Sequence, residues 1–424
     1  MGVKTVAIME HHLTIEQQEK KEIREWSFLF LGSAIGSGII LLPLQAGKVS
    51  LLTTLISLVI GLVGTYFGQN LMIRMTSTTP NCKSYDHAIE THLGKVIGIG
   101  LSVIFIIFLF TLIVLLGTGV TTNFAAALEH YHIVNTNLER YPLYIMLILA
   151  IMALPLIFGE KFLLALIEKV VAFKVIILIV LIFIFIPLWH PDNIRYYLSL
   201  SATGVGIGKG ILVLLPVLIF GATFFPSIGS MGRFFKSNYP LDSDEETFKK
   251  ANKTNINAMI LLAIVLVVFI TSTLFALTPS SLDFAAKNNL TALSVIGQSD
   301  STGYIATFAI FAGYLITILA LLTSFYAVII GVIDGVMTRL PKKIRIKKLG
   351  VVLIVFVLLF LWIVLNLNIL SFIIHVVAPL IVIFVFFIPV IAAYVSPRLK
   401  SYRGIIPLIS LVIGIFLMIA SFIS

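Results

Sequence analysis

The sequence predicts an all-α polytopic membrane protein in which two membrane-spanning helices are interrupted. Of its 424 residues, 59% are hydrophobic and only 11% are charged, a balance that is typical of membrane proteins rather than of soluble domains. Apolar stretches of about 20 residues, long enough to cross a bilayer, recur along the whole chain. Glycine and proline interrupt two of these stretches, although both residues weaken a regular helix.

The apolar stretches predict eleven membrane spans, each long enough to cross the hydrocarbon core. They are residues 26 to 47, 50 to 73, 96 to 127, 142 to 158, 162 to 187, 209 to 230, 255 to 278, 302 to 334, 349 to 366, 368 to 395 and 404 to 423. We group them into a cytoplasmic N-terminal tail (1–25), a first five-helix repeat (26–187), a second five-helix repeat (209–395) and an additional transmembrane helix (404–423).

The basic residues predict the orientation of these spans. The net charge is +10, and lysine and arginine are concentrated in alternate connections, including the run from Arg339 to Lys348. Because cytoplasmic loops carry the excess of basic residues, the N-terminus is predicted to be cytoplasmic and the C-terminus outside. The expected location is a plasma membrane, the inner membrane in a bacterium. Alternating charges from Asp242 to Lys253 predict a short solvated helix on the cytoplasmic side.

The first interruption lies in span one, where residues 32 to 38 read Gly-Ser-Ala-Ile-Gly-Ser-Gly. Unwound backbone at bilayer depth is tolerated where it lines a cavity, and its free N–H and C=O groups can then bind a substrate or an ion. The N–H groups of Gly36, Ser37 and Gly38 are predicted to face a carboxylate at the positive end of the second half-helix. The carbonyls of Ala34 and Ile35 are predicted to accept from an ammonium group.

The second interruption lies in span six, where residues 215 to 230 contain two prolines and two glycines. The carbonyls of Phe220, Gly221 and Thr223 are predicted to bind the same ammonium group. The two breaks occupy corresponding positions in the two halves, which predicts a substrate site near the membrane midplane. Phe220, Phe224 and Thr118 are the candidates for the wall around the substrate side chain. The alternative interpretation is that both breaks are ordinary kinks and glycine packing faces.

Several motifs resemble the hydroxy and aromatic amino acid permeases of the amino acid-polyamine-organocation superfamily. The segment 32 to 38, followed by Leu-Pro-Leu-Gln-Ala-Gly at 42 to 47, is similar to the first helix of that family. Further similarity involves the sixth helix at 220 to 230, the eighth at 319 to 325 and 331 to 335, and a cytoplasmic helical loop at 84 to 94. The resemblance implies a LeuT-type fold of five plus five helices in an inverted repeat, with discontinuous first and sixth helices and an eleventh helix.

The resemblance also implies secondary active import of an amino acid by symport with a cation. In sodium-linked proteins of this fold the first and eighth helices hold the ion, and the matching positions here are Gly32, Ile35, Ala320, Thr323 and Ser324. In proton-coupled members a lysine of the fifth helix takes the place of sodium, and the matching residue is Lys174. We favour the proton, because the resembled family is largely proton-coupled. The alternative for Lys174 is that its side chain extends to the cytoplasmic face.

One departure from the family bears on the substrate. Many members carry a histidine in the sixth helix where this chain has Phe224 or Phe225, which favours an aromatic or hydrophobic amino acid. No catalytic motif appears in the spans, so we predict a protein that is not an enzyme and has no cofactor other than a possible sodium ion. The expected partners are an amino acid, a proton or sodium, and the bilayer, with no nucleic acid. A non-transporting amino acid sensor of the same fold is the alternative function.

Overall fold

The computed structural model describes residues 15–80, 84–136, 138–158, 160–199, 206–298, 304–339, 348–365 and 368–423. Within these ranges, eight helices are long and apolar enough to cross a membrane, and a bent pair of helices makes a ninth span. Two shorter apolar helices, Pro142–Ile157 and Leu349–Val364, fall on the predicted fourth and ninth spans. Each of the eleven predicted apolar stretches therefore contains helix, and among the described residues only the two interruptions and a few residues at the ends of the stretches are not helical.

The spans are numbered in chain order and keep the order predicted from sequence. They are span one (Ile15–Ala34 and Ser37–Ala46), two (Leu51–Ser77), three (Lys95–His130), four (Pro142–Ile157), five (Glu160–Phe185), six (Ile207–Ala222 and Phe225–Asn238), seven (Asp244–Ala276), eight (Tyr304–Arg339), nine (Lys348–Val364), ten (Ile369–Val395) and eleven (Ile405–Ile423). Span ten contains two π-helical stretches, Ile373–Val377 and Val382–Phe387.

Both predicted interruptions are present. In span one the helix ends at Ala34 and resumes at Ser37, and its two halves are bent by 51°. Gly36 stands between them with φ −110° and ψ −146°, outside the helical region. In span six the helix ends at Ala222 and resumes at Phe225. Pro226 contributes to this second break, because it has no N–H for the carbonyl of Ala222 four residues earlier.

Two polar segments differ from the predictions. Span one begins at Ile15, well inside the segment predicted as a tail, because a pair such as Glu16 and Lys20 (2.6 Å) supports a polar first turn. The predicted short helix at 242 to 253 is not separate. It forms the start of span seven, which runs without interruption from Asp244 and begins with a capping box between Ser243 and Glu246.

The predicted helical loop after span two is present as Tyr85–Leu93. Its two ends are fastened to the bundle by buried side chains. The hydroxyl of Tyr85 donates to the carbonyl of Phe384 at 2.5 Å, and the ring of His92 contacts the carbonyl of Met75 at 3.0 Å and the hydroxyl of Ser396 at 2.8 Å. The loop therefore ties the end of span two to span ten.

The spans pack in two groups that face each other. Spans one, two, six and seven contact one another, and span three packs along span eight, which in turn packs on span five. Span nine packs on spans three, four and eight. The interrupted parts of spans one and six thereby lie against spans three and eight, and a cavity lies between the two groups.

A polar cluster joins the beginning of span one, the end of span six and the beginning of span seven. The nearly buried carboxylate of Glu22 accepts from the hydroxyl of Tyr239 at 2.9 Å. Lys250 pairs with Glu19 at 3.1 Å and with Asp242 at 2.7 Å, and its ammonium lies 3.5 Å from the centre of the Tyr239 ring. Desolvation and the Glu22 carboxylate raise the pKa of Tyr239, so its hydroxyl stays protonated and donates.

Candidate transport site

The two interruptions meet at the centre of the molecule. A Cβ atom placed on Gly38 would overlap the Cα of Gly221 and lie 2.7 Å from its backbone nitrogen. No side chain separates the two helices there, so only glycine at position 38 permits this approach of the backbones. The close approach brings the start of the second half of span one against the end of the first half of span six.

A cavity of about 80 Å³ opens beside this contact. Its wall combines three hydroxyl-bearing side chains with apolar groups and unwound backbone. The lining residues are Ser33, Ala34 and Gly38 of span one, Leu112 and Leu116 of span three, Phe220, Gly221, Thr223 and Phe225 of span six, and Ser324 and Val328 of span eight. The cavity therefore lies between spans one, three, six and eight, beside the two interruptions at which the sequence predicts the substrate site.

The structure places part of the predicted substrate set at this cavity. Ala34, Gly38, Phe220, Gly221 and Thr223 all line it. Ser37 begins the second half-helix beside it. The N-terminal end of that half-helix, with its unpaired backbone donors, is therefore next to the cavity.

Other predicted residues lie away from the cavity wall. The Phe224 ring is 1% exposed and packs against the ring of Phe30 at 5.0 Å. Thr118 donates to the carbonyl of Val114 within its own helix, at 2.8 Å. Ile35 is fully buried in the core. Gly36 faces Ser324, since a Cβ atom on it would overlap the hydroxyl of that serine.

Lys174 reaches from span five to span eight. Its side chain is 0% exposed, and its Nζ donates to Thr323 Oγ1 at 2.7 Å. Thr323 in turn donates to the carbonyls of Leu319 (2.9 Å) and Ala320 (3.1 Å). Of the two interpretations that the sequence leaves open, the structure agrees with the buried one and not with extension to the cytoplasmic face. No carboxylate of a described residue lies within ion-pair distance of Lys174.

In the structure, several of the predicted sodium ligands make other contacts. The hydroxyl of Thr323 accepts from Lys174 Nζ, so the lysine side chain lies on the side of span eight that the ion would use. The Ala320 carbonyl accepts from Thr323. Gly32 packs against Val171 of span five, whose methyl group would overlap a Cβ atom at this position. Ser324 lines the cavity instead.

Several lining residues escaped the sequence analysis. Ser33, Leu112, Leu116, Phe225 and Val328 all line the cavity. Ser33 is within the segment 32 to 38, whose backbone alone was considered. From sequence, either Phe224 or Phe225 corresponds to the family's histidine position. Which of the two rings lines the cavity depends on the direction that each side chain takes at the break. Leu112, Leu116 and Val328 could not be singled out from the sequence, because apolar residues are so numerous in this chain.

No protein-family model matches the chain. Similar proteins nevertheless cover almost all of it. The chain is 27% identical over 410 residues to a protein named "Serine transporter" from Escherichia coli O157:H7, covering 94% of this chain and 91% of that protein. It is 26% identical over 407 residues to the "Threonine/serine transporter TdcC" of Escherichia fergusonii, covering 91% of both. Over nearly its whole length the chain is therefore similar to bacterial proteins named as serine and threonine transporters, in agreement with its resemblance to the hydroxy and aromatic amino acid permeases.

Two further comparisons agree with this similarity. The chain is 23% identical over 420 residues to the "Inner membrane transport protein YqeG" of Escherichia coli K12, covering 95% of the chain and 98% of that protein. Its fold matches the solved structure of Mhp1, a nucleobase-cation-symport-1 family transporter, with a TM-score of 0.55 at 12% identity, covering 94% and 91% of the two chains. The chain is thus a multi-pass membrane protein of the LeuT-type fold.

Proposed function

We propose that this permease imports a small hydroxylated amino acid, serine or threonine, together with a proton. The observation that carries the proposal is the cavity between the two interrupted spans, which combines a helix N-terminus with three hydroxyl groups. A zwitterion that leaves water must exchange its hydration for hydrogen bonds at both charged ends. The N-terminus of the half-helix Ser37–Ala46 supports carboxylate binding, and the carbonyls of the span-six break support ammonium binding.

The size and lining of the cavity favour a small substrate over the aromatic one predicted from sequence. At roughly 10 to 15 Å³ for each water-sized group, the cavity has room for about five to eight non-hydrogen atoms. Serine and threonine match this size, and an aromatic amino acid exceeds it. Ser33 and Thr223 donate their hydroxyl protons to the carbonyls of Phe30 and Ile219, so their oxygens can still accept from the hydroxyl of such a substrate, as can that of Ser324. The names of the relatives, which refer to serine and threonine, support the same substrates.

Lys174 supports the proton as the coupling ion. A lysine that is buried without a carboxylate partner is expensive to keep charged, and such a residue inside a membrane is a functional candidate by default. The contact with Thr323 joins span five to span eight, and it is stronger while Lys174 is protonated, because a charged donor makes a stronger hydrogen bond than a neutral amine. Loss of that proton on the inner side would weaken the contact and permit opening. The predicted sodium site is not carried into this proposal.

The direct test uses purified permease in liposomes, with labelled serine, threonine and tryptophan supplied under separate gradients. We expect serine or threonine to accumulate when the outside is more acidic than the inside, since the proton supplies the driving force. An imposed sodium gradient at equal pH should give no accumulation, and tryptophan should not be transported. Binding without any uptake would instead indicate the sensor, and preferential uptake of tryptophan would reject the small-substrate assignment.

The proposed orientation can be tested by labelling single cysteines in a Cys82→Ser background. We propose a cytoplasmic N-terminus and an external C-terminus, because the basic residues lie mainly in the connections on the N-terminal side. The variant Asn288→Cys, at an exposed position between spans seven and eight, should react with an impermeant maleimide on intact cells. The variant Ser401→Cys, exposed between spans ten and eleven, should react only after permeabilisation. Reaction of both on intact cells would contradict the orientation.

A further inference from the structure

The break in span six displaces two backbone groups from their regular partners. In a continuous helix the N–H of Phe224 would donate to the carbonyl of Phe220, and the carbonyl of Ala222 would accept from residue 226. Position 226 is proline, which has no N–H. Both groups are buried inside the bundle, where a polar backbone atom without a partner is costly. Something other than the helix must therefore satisfy them.

Gln69 of span two supplies both missing partners. Its side chain is 0% exposed. Oε1 accepts from the N–H of Phe224 at 3.1 Å, and Nε2 lies 3.4 Å from the carbonyl oxygen of Ala222, to which it donates. The two contacts fix which end of the amide is oxygen, because an N–H requires an acceptor and a carbonyl requires a donor. One side chain thus bridges the two sides of the interruption.

We propose that Gln69 is a positioning residue for the transport site. By accepting from the N–H of Phe224, its amide releases the carbonyl of Phe220 from the bond that a regular helix would impose. Phe220 lines the cavity, so the released carbonyl becomes available to the substrate ammonium. This inference rests on the proposed function for the identity of the substrate. The bonds of Gln69 to the break can be tested without any substrate.

The first measurement concerns the bonds themselves. Hydrogen–deuterium exchange is followed at the Phe224 amide, resolved by overlapping peptides, in the wild type, Gln69→Met and Gln69→Glu. Methionine has a similar length but cannot accept from the amide, so exchange at Phe224 should become about tenfold faster or more in Gln69→Met. Glutamate retains an acceptor, so Gln69→Glu should keep the protection. Equal protection in the wild type and Gln69→Met would overturn the proposal.

The second measurement concerns the substrate. In proteoliposomes, Gln69→Met should raise the KM for serine by about tenfold or more, with a smaller change in maximal rate, because the unsupported break no longer holds the carbonyl of Phe220 in position for the substrate ammonium. The matched control is Thr65→Val, one turn earlier in span two, which removes a fully buried hydroxyl without touching the break. Its KM should remain that of the wild type. Faster exchange at Phe224 with an unchanged KM would also overturn the positioning role.

The variant Gln69→Glu should make serine binding depend on pH, which a purely structural role of Gln69 would not do. A neutral carboxylic acid offers one acceptor and one donor, as the amide does, whereas a carboxylate offers no donor to the carbonyl of Ala222. We therefore compare the serine affinity of Gln69→Glu in detergent with that of the wild type at each pH. The ratio of the two affinities should be near one at low pH and should fall as the pH rises. A ratio of affinities that does not change with pH would contradict the positioning role of Gln69. If the wild type does not bind or transport serine, the proposed function fails, and the exchange experiment still decides whether Gln69 holds the break.

Discussion

Replacing Lys174 with methionine should abolish serine accumulation driven by a pH gradient while the permease still exchanges serine across the membrane. Methionine fills much of the same buried volume but has no proton to donate to Thr323, with which Lys174 makes a 2.7 Å hydrogen bond. If the proton on Lys174 couples the gradient to the opening of the site, its loss leaves a pathway without a driving ion. We expect concentrative uptake to fall at least about 100-fold, as for the loss of a group essential to the coupled cycle.

Counterflow of labelled serine into serine-loaded liposomes is the accompanying measurement, since it needs substrate translocation but no gradient. Lys169→Met is the matched control, because Lys169 lies in the same helix and is exposed rather than buried. This control should retain concentrative uptake. Thr323→Val should weaken uptake, because it removes the acceptor for Lys174. Uptake by Lys174→Met that follows a sodium gradient and ignores pH would reject the proton and restore the sodium hypothesis.

A second large effect is expected from Gly38→Ala. The added methyl group would overlap the Cα of Gly221 and lie 2.7 Å from its nitrogen. The overlapping atoms belong to the backbone of Gly221, so no change of side-chain rotamer can relieve the overlap. The two interrupted spans must therefore move apart. Overpacking of this kind costs typically about 1 to 3 kcal/mol, and occasionally more. We expect a clear fall in the melting temperature of the solubilised protein and loss of uptake.

Two further glycine variants serve as controls for Gly38→Ala. Gly221→Ala should have a smaller effect, because its new Cβ atom would lie 3.0 Å from the carbonyl carbon of Gly38 rather than overlap it. Gly208→Ala lies in the same helix with nothing within 4 Å of the new atom. It should leave both melting temperature and uptake unchanged. A stable and active Gly38→Ala protein would show that the backbones of spans one and six do not meet there.

Much of the fold could be predicted from residues that act within their own helix. The apolar stretches of about 20 residues fixed the number and order of the spans, because bilayer thickness sets the length of each helix. The glycines of 32 to 38 and the proline at 226 marked the two interruptions, since both residue types act on the backbone of their own helix. The polar start of span one was missed, because helix formation outside the membrane depends on ion pairs such as Glu16 with Lys20 rather than on hydropathy.

The contacts between distant spans required the tertiary structure. The sequence marked Lys174 as either buried or extended to the surface, and only its approach to Thr323, 149 residues away, distinguishes the two. The assignment of Phe225 to the cavity and Phe224 to the Phe30 ring depends on the direction each side chain takes at a break. Gln69 gave no signal, because an amide in an apolar span acquires its role from the backbone it faces. Hydropathy and local breaks are properties of one helix, whereas a transport site is formed by several helices and depends on which of their faces meet.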